Sequence, residues 1–457
     1  MNRVVIIGGG PGGYEAALVA KQLGADVTII ERDGLGGSAV LTDVVPSKAL
    51  IAVAEAAIDT RGAGAIGVHT GDVSVDLEDV NSRLKKWAAS QSADIESTIS
   101  ASGIRVIHGT GKMLSESLVE ATATDGSVSQ LEADIVLLAT GARPRVLDTA
   151  IPDGERIFTW EQLYNLTELP EKLIVVGSGV TGAEFAGAYQ ALGTQVVLVS
   201  SRDRVLPGED EDAAKVIEDV FGQRGMQVLS RSRALAVART ADGVEVELAD
   251  GTIVTGSHCL LAVGSLPNTE ALGLAAAGVE VNENGYIVVD GVSRTNVRGI
   301  YAAGDCTGVM LLASVAAMQG RIAMWHALGD AVQPLNLPTV SSNVFTDPEI
   351  ATVGVSDADV AAGRENAISV MLPLSTNARA KMQGIHEGFV KIFARPDSGV
   401  VVGGVVVAPK ASELIFSIAL AVQHRMTVDD IAQTFTIYPS LSGSIAEAAR
   451  RLHHTDL

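Results

Sequence analysis

The chain begins with a block of consecutive apolar residues, Val4-Val5-Ile6-Ile7, that stops at the glycine-rich run Gly8-Gly9-Gly10-Pro11-Gly12-Gly13. Such a block reads as a strand buried on both faces, and the stretch from Tyr14 to Leu23 predicts a helix behind it. A second buried strand, Asp26-Val27-Thr28-Ile29-Ile30, ends in the acid Glu31. The same order returns 169 residues later, counted from Gly8 to Gly177. There the apolar Leu173-Ile174-Val175-Val176 runs into Gly177-Ser178-Gly179-Val180-Thr181-Gly182, and the second strand is Gln195-Val196-Val197-Leu198-Val199. Between the repeats, Leu77, Val80, Leu84, Trp87 and Ile95 recur at helical spacing in a charged stretch, which predicts an amphipathic helix over 77–100.

A strand, a glycine turn and a helix in this order suit a dinucleotide. Gly8 permits the tight turn, Gly10 lets the backbone approach a pyrophosphate, and Gly13 brings helix and strand close together. The phosphates then lie at a helix N-terminus, where N–H groups and about half a positive charge favour anions. Glu31 is placed to accept the hydroxyls of an adenosine ribose. Gly177, Gly179 with Val180, and Gly182 repeat the arrangement, but the second strand ends at Ser200-Ser201-Arg202-Asp203-Arg204, with serine where the first has its acid. Arg202 and Arg204 suit a 2′-phosphate that a carboxylate would repel, which favours NADPH and leaves NADH open; alternatively, both arginines solvate a surface loop. Two such sites on one chain imply electron transfer between two nucleotides.

Composition narrows the class further. At 457 residues the chain is too long for one ordinary core, and about three units are expected. A net charge of −21 argues against nucleic acid or anionic lipid as the main partner. No run of about 18 uncharged apolar residues occurs, so neither a membrane span nor a signal peptide is expected and the cytoplasm is the default location. The two cysteines, Cys259 and Cys306, fit no metal or redox spacing and read as small buried hydrophobes. His108, His258, His326, His386 and His424 are scattered, so no metal is assigned, and His453 and His454 read as a terminal tail.

Further landmarks follow in order: Ala139-Thr140-Gly141-Ala142-Arg143-Pro144, Ala262-Val263-Gly264-Ser265-Leu266-Pro267-Asn268, the run from Thr295 to Gly304-Asp305, Met310-Leu311-Leu312-Ala313, and Val344 to Gly354. Together with the two glycine turns they cover nearly the whole chain, which resembles the pyridine nucleotide-disulfide oxidoreductases. The resemblance implies an α/β fold with two Rossmann-like dinucleotide-binding domains plus a C-terminal α+β dimerisation domain. An FAD-binding domain over 1–146 and 285–335, an NAD(P)-binding domain over 147–284, an interface domain over 336–457 and a homodimer are expected. It further implies FAD contacts at Arg32, Gly37, Ser38, Gly111, Thr140, Gly141 and Arg143, with Gly264 closing the nicotinamide domain and Asp305 on the ribityl chain. The helix opening at Leu311, Leu312 and Ala313 would aim its positive end at the flavin, where charge accumulates on reduction.

The departures from the family pattern carry the functional expectation. Where thiol members read Gly-Gly-Thr-Cys-x4-Cys-x-Pro-Ser-Lys, this chain reads Gly36-Gly37-Ser38-Ala39-Val40-Leu41-Thr42-Asp43-Val44-Val45-Pro46-Ser47-Lys48. Neither Ala39 nor Val44 can attack a disulfide, form a thiolate or ligate a soft metal. Near the C-terminus Tyr438 and Gly443 stand where those members keep a histidine and its glutamate, and Ser314 stands where many relatives have a histidine. Electrons are therefore expected to leave the flavin directly for a small acceptor, with a quinone the leading candidate. The resemblance places Lys48 close to flavin N5 and pairs it with Glu184; the other reading is a solvated pair of little consequence. Tyr438 either stacks on a planar quinone or fills the space of the missing histidine. A soluble pyridine nucleotide transhydrogenase and a non-catalytic nucleotide-binding protein are the alternatives, whereas a dihydrolipoamide dehydrogenase needs the thiols. Lys48→Ala is expected to slow flavin reduction by NAD(P)H in a single-turnover stopped-flow experiment; an unchanged rate removes the lysine from the mechanism.

Overall fold

A computed structural model of the chain describes residues 1–453, which divide into two compact units. The first comprises Met1–Ala49, Glu78–Arg145 and Gly264–Asn336, and the second, among the described residues, Leu50–Leu77, Val146–Val263 and 337–453. The first unit is built on a seven-stranded sheet in which Arg3–Ile7 lies between Asp26–Glu31 and Ile135–Leu138. Pairing is parallel, Ile7 opposite Ile30 on one side and Leu138 on the other. Ile300–Ala302 closes one edge, while Arg105–Ser115 continues the parallel sheet before turning into an antiparallel extension.

The unbroken apolar run has a direct cause in this geometry. Successive side chains of a strand point to opposite faces, and here both faces are covered. Val4 and Ile6 pack with Ala16, Ala17 and Ala20 of the helix Pro11–Gln22, while Val5 and Ile7 join Val136, Leu138, Ile287 and Cys306 on the other face. The helix Pro11–Gln22 also meets the helix Ala313–Ala327 at glycines, since a Cβ on Gly320 would stand 2.1 Å from the Gly12 carbonyl oxygen. Only a residue without a side chain permits that approach.

The second unit holds a five-stranded parallel sheet in which Lys172–Val176 lies between Gln195–Val199 and His258–Leu261, with a small antiparallel sheet beside it in sequence. Its C-terminal part is an antiparallel five-stranded sheet formed by Ser341–Val344, Glu349–Gly354, Val401–Ala408, Phe389–Ala394 and Ile368–Pro373. The helices Ala411–His424 and Gly443–Arg451 bury Ile415, Ile418, Ile445 and Ala448 against that sheet. Parallel strands with helical crossovers followed by an antiparallel sheet with its own helices are the α/β and α+β parts the sequence implies.

Two expectations need correction. The predicted amphipathic helix is present as Leu77–Ala101, with Leu77, Val80 and Leu84 buried, but Trp87 leaves the apolar stripe. Its ring is 45% exposed and lies under the Arg83 guanidinium, 4.9 Å from the ring centroid, so a cation and water satisfy it where the core does not. His453 does not hang free: its Nδ1 lies 2.5 Å from Asp429 Oδ1, while His454 lies outside the described residues.

The helical stretch Gly37–Ile66 is long and apolar enough by length and composition to cross a membrane. It nevertheless carries Asp43, Lys48, Glu55, Asp59 and Arg61, and Leu50, Ile51, Ala54 and Ala57 form a buried stripe at helical spacing. Glu55 pairs with Lys410 at 3.2 Å, and the Arg61 guanidinium donates to the Ala191 carbonyl at the end of the helix Val180–Leu192. Charged positions and partial burial on one side mark this stretch as amphipathic.

Truncation separates the two kinds of apolar position on Leu77–Ala101. Leu84→Ala is expected to lower unfolding free energy by about 2–5 kcal/mol and Trp87→Ala by less than about 1 kcal/mol, as read from chemical denaturation.

Candidate active site

The two glycine turns are built alike, atom for atom. A Cβ on Gly8 would stand 2.2 Å from the Ala139 carbonyl oxygen and one on Gly177 2.1 Å from that of Ala262, and both residues have φ above +100°. A Cβ on Gly13 would stand 1.9 Å from the Gly8 oxygen, and one on Gly182 1.8 Å from the Gly177 oxygen. At the middle glycines, Gly10 and Gly179, a Cβ would meet nothing within 4 Å. Two positions in each turn are therefore closed by backbone, while the third opens onto room for a ligand. Gly10 and Gly179 are also the N-caps of the helices Pro11–Gln22 and Val180–Leu192, and neither cap carries a side-chain hydrogen bond.

Around the first turn the groups converge within one unit. A Cβ on Gly37 would lie 2.9 Å from Gly10 Cα, so the short helix Gly37–Leu41, with exposed Ser38 as its second residue, starts beside the first turn. Glu31 is buried at the end of its strand, where Oε2 accepts from Gly9 N–H at 2.5 Å and Oε1 from Asp33 and Gly34 N–H at 2.7 and 3.2 Å. Arg32 is exposed and pairs with Asp33 at 2.7 Å. These residues offer an open backbone cradle, helix N-termini and an oriented carboxylate, the donor set that an adenine dinucleotide requires.

Other residues expected at the cofactor have structural duties of their own. Thr140 Oγ1 donates to the Asn268 carbonyl at 2.7 Å, and Asn268 Nδ2 donates back to the Thr140 carbonyl at 3.0 Å. Arg143 donates to Pro267 O and Asn268 Oδ1, both at 3.1 Å, and the strands Ala142–Pro144 and Ser265–Pro267 pair antiparallel. Gly141 and Gly264 take φ of +66° and +94° next to those strands, and Gly264 accepts from Arg145 N–H. The two chain crossings are thus bolted to each other. A Cβ on Gly111 would come within 3.0 Å of the Ile7 side chain and 3.1 Å of the Ile30 side chain, so this glycine is packed tightly against the apolar face of the sheet.

Gly304 has φ +81° and leads into the turn Asp305–Thr307; Leu312 is the N-cap of the helix Ala313–Ala327, with Leu311 exposed before it. Burial, with a further push from the charge of Asp43, raises the Asp305 carboxyl to about 6. Asp43 was not among the expected residues. It lies in the break between the helices Gly37–Leu41 and Val44–Gly62, between the Ala39 and Val44 positions, where its backbone N–H donates to Ser38 O and its carbonyl accepts from Ser47 N–H. The visible signal was a lone acid inside an otherwise apolar run.

In the second unit the register places Val176 opposite Val199 as Ile7 is placed opposite Ile30, so Ser200 occupies the position of Glu31. Ser200 is fully buried and its Oγ lies 2.6 Å from Ser178 Oγ while accepting from Arg202 N–H at 3.1 Å. Ser200 therefore shapes the loop from within, and Ser201, Arg202 and Asp203 stand exposed beyond it. The Arg202 guanidinium has no protein partner among the described residues; Arg204 is half-buried with Nη1 3.6 Å from Glu211 Oε1. Glu184, on the helix Val180–Leu192, is 3% exposed and accepts from Phe345 N–H at 2.8 Å, so it is no solvated surface acid. Lys48 belongs to the first unit and Glu184 to the second. Tyr438 is 87% exposed, in a segment where Phe435 and Ile437 are exposed as well. Gly443 opens the helix Gly443–Arg451. Both cysteines are fully buried, which pushes the Cys306 thiol up to about 11 and the Cys259 thiol higher still.

Comparison with known proteins fits this geometry. A family model described as pyridine nucleotide-disulphide oxidoreductase matches residues 2–320, and one for the dimerisation domain of the same family matches residues 340–449. Over 100% of its length, and 95% of the relative's, the chain is 55% identical to a Mycobacterium tuberculosis protein named NAD(P)H dehydrogenase (quinone). It is 35% identical to dihydrolipoyl dehydrogenase 2 of Haloarcula marismortui, covering 98% of the chain and 96% of the relative. The crystal structure of LpdA from Mycobacterium tuberculosis is similar with TM-score 0.96 and 55% identity over 99% of this chain and 100% of that one. The disulfide reductase RclA of Escherichia coli, 22% identical with TM-score 0.88 over 98% and 99% of the two chains, shares the fold.

The raised Asp305 carboxyl has a consequence for the apoprotein. With a folded value above the unfolded one, the folded chain holds an extra proton between about pH 4 and 6, so stability falls as pH rises through that window. Asp305→Asn is expected to flatten this slope, a gain of up to about 3 kcal/mol relative to wild type at neutral pH that disappears below about pH 4. Parallel melting curves of the two apoproteins across pH check it.

Proposed function

Because the chain belongs to the pyridine nucleotide-disulphide oxidoreductase family, whose members use FAD and NAD(P)H, we propose that it is an NAD(P)H:quinone oxidoreductase without a redox dithiol. The observation that carries this reading is the absence of usable sulfur. Ala39 and Val44 occupy the thiol positions, and the two cysteines elsewhere are buried and held protonated. A thiol relay needs an accessible thiolate. The Mycobacterium tuberculosis relative named NAD(P)H dehydrogenase (quinone) supports a quinone as the acceptor.

Bound FAD supplies a two-electron carrier that a nicotinamide donor and a quinone use in turn. Gly8, Gly10, Gly13, Glu31 and Gly37 hold its adenosine and phosphate end in this reading, with Asp305 on its ribityl chain. Lys48 contributes positive charge to the reduced ring, and Glu184 is the acid assigned to it, so that neither charge is left buried alone. The helix Ala313–Ala327 adds the positive end of its dipole. The nicotinamide nucleotide occupies the turn Gly177–Gly182, with Arg202 and Arg204 at the ribose. Tyr438 offers a planar face and a phenol to the acceptor, and its exposure beside Phe435 and Ile437 suits a surface completed by a second copy in a homodimer. The three-domain division and a cytoplasmic location belong to the same proposal.

Anaerobic mixing of the purified yellow protein with NADPH is expected to bleach the flavin, and a quinone is expected to restore the colour, with lipoamide turnover at background. Tyr438→Phe should change the quinone-dependent half-reaction several-fold more than the reductive one. Transfer from NADPH to an NAD analogue that outpaces any quinone would replace this reading by a transhydrogenase, and a flavin that NADPH leaves yellow would end it.

A further inference from the structure

We propose that Lys391 is a positioning residue for the nicotinamide nucleotide, acting from the C-terminal sheet on the loop over 201–209. The inference rests on the reading that this loop meets the nucleotide. Lys391 sits in the middle of the strand Phe389–Ala394 with its side chain 3% exposed. Val390, Ile392 and Ala394 point into the core of the C-terminal sheet, so Lys391 occupies the other face together with Phe389 and Phe393, whose ring centroids lie 5.6 and 6.0 Å from Nζ. An ammonium has three N–H donors, and each meets one carboxylate: Asp210 at 2.8 Å, Asp212 at 2.7 Å and Asp357 at 2.6 Å. The three acids offer oxygens within 4.8 Å of one another, a spacing that suits a cation, and the ammonium is that cation.

Asp210 connects this cluster to the loop. Its side chain is 2% exposed, and while Oδ2 takes the lysine, Oδ1 accepts from Ala213 N–H and caps the helix Glu211–Gln223. That helix holds the loop in two places: Glu211 lies 3.6 Å from Arg204, and Glu218 Oε1 accepts from Val205 N–H at 2.8 Å. The other end of the loop is fixed by Ser200, through Ser178 and the Arg202 N–H. The loop carrying Arg202 and Arg204 is thus tied to its own nucleotide unit at Ser200, at the Arg202 carbonyl and at Leu206 N–H, which donates to Ser178 O, while its far end runs into a helix start set by a residue some 180 positions further along the chain. Without the ammonium, three carboxylates repel at one end and the capped helix start loses its outside reference. The loop then spends part of its time in other positions, and apparent nucleotide affinity falls in proportion to the competent fraction.

Calorimetric titration of the FAD-loaded protein with 2′,5′-ADP and with 5′-ADP tests this, alongside steady-state KM values for NADPH and a quinone. Lys391→Met is expected to bind both probes about tenfold more weakly and to raise the NADPH KM by a similar factor, with kcat and the quinone KM within about twofold. Lys391→Arg should recover most of the loss, since it keeps a charge with several donors. Folded, FAD-loaded Lys391→Met that binds both probes as wild type does would overturn the proposal, and so would a quinone KM that rises along with that for NADPH. Where Lys391→Met does not fold, Asp210→Asn keeps a capping side chain but drops the charge, and the same weakening is expected; unchanged binding overturns the proposal. Failure of NADPH to bleach the wild-type flavin would sink the oxidoreductase reading, while probe binding still decides the role of Lys391.

Discussion

Contact between backbones at the glycine turns is the constraint on which the rest of the molecule depends. A strand can turn into a helix over a phosphate only if the carbonyl at the strand end and the first helical turn approach more closely than any Cβ allows. Gly8 and Gly13 in one unit, and Gly177 and Gly182 in the other, leave 1.8–2.2 Å where a side chain would have to stand. The middle glycine of each turn faces open space instead, the room that a bound pyrophosphate would need. The same economy of side chains recurs where Gly12 and Gly320 let two helices touch, which sets the helix Ala313–Ala327 relative to the first turn.

Once the backbone is placed, the buried charges decide what the site can do. Glu31 is met by backbone N–H groups, Glu184 by the Phe345 N–H and Lys391 by three carboxylates, so each buried polar head has partners supplied by the fold. Asp305 is the exception. It is buried and stands near Asp43, a residue of its own sign, and its carboxyl rises to about 6 in consequence. A carboxyl in that state holds a proton more readily than a surface acid.

Fold and chemistry part company in this family. Chains 55% and 35% identical to this one share its architecture over nearly their whole lengths, yet one is named for a quinone and the other for dihydrolipoyl substrates. A shared scaffold therefore does not by itself fix the substrate, since activity resides in particular side chains placed on a fold. In the proposed reading, Ala39, Val44, Tyr438 and Gly443 are such positions. The glycine turns and the sheets stand apart from those four residues, so overall similarity alone is a poor guide to the acceptor.

The sequence by itself determined the α/β architecture, the family and the absence of cysteine at positions 39 and 44. Apolar runs, glycine spacing and the identity of residues 39 and 44 are local properties that need no knowledge of distant neighbours. Tertiary structure alone decided the placements that depend on which far segment covers which face. Trp87 follows the helical period yet stays 45% exposed, with the Arg83 guanidinium over its ring. Arg143 grips the returning strand at Pro267 and Asn268, and Ser200 is sealed inside its loop by Ser178. Lys391 reads as an interruption in an apolar strand until Asp210, Asp212 and Asp357 are brought to it by folding. A charge can be buried only where opposite charges arrive from elsewhere in the chain, and that arrival is a fact of three dimensions.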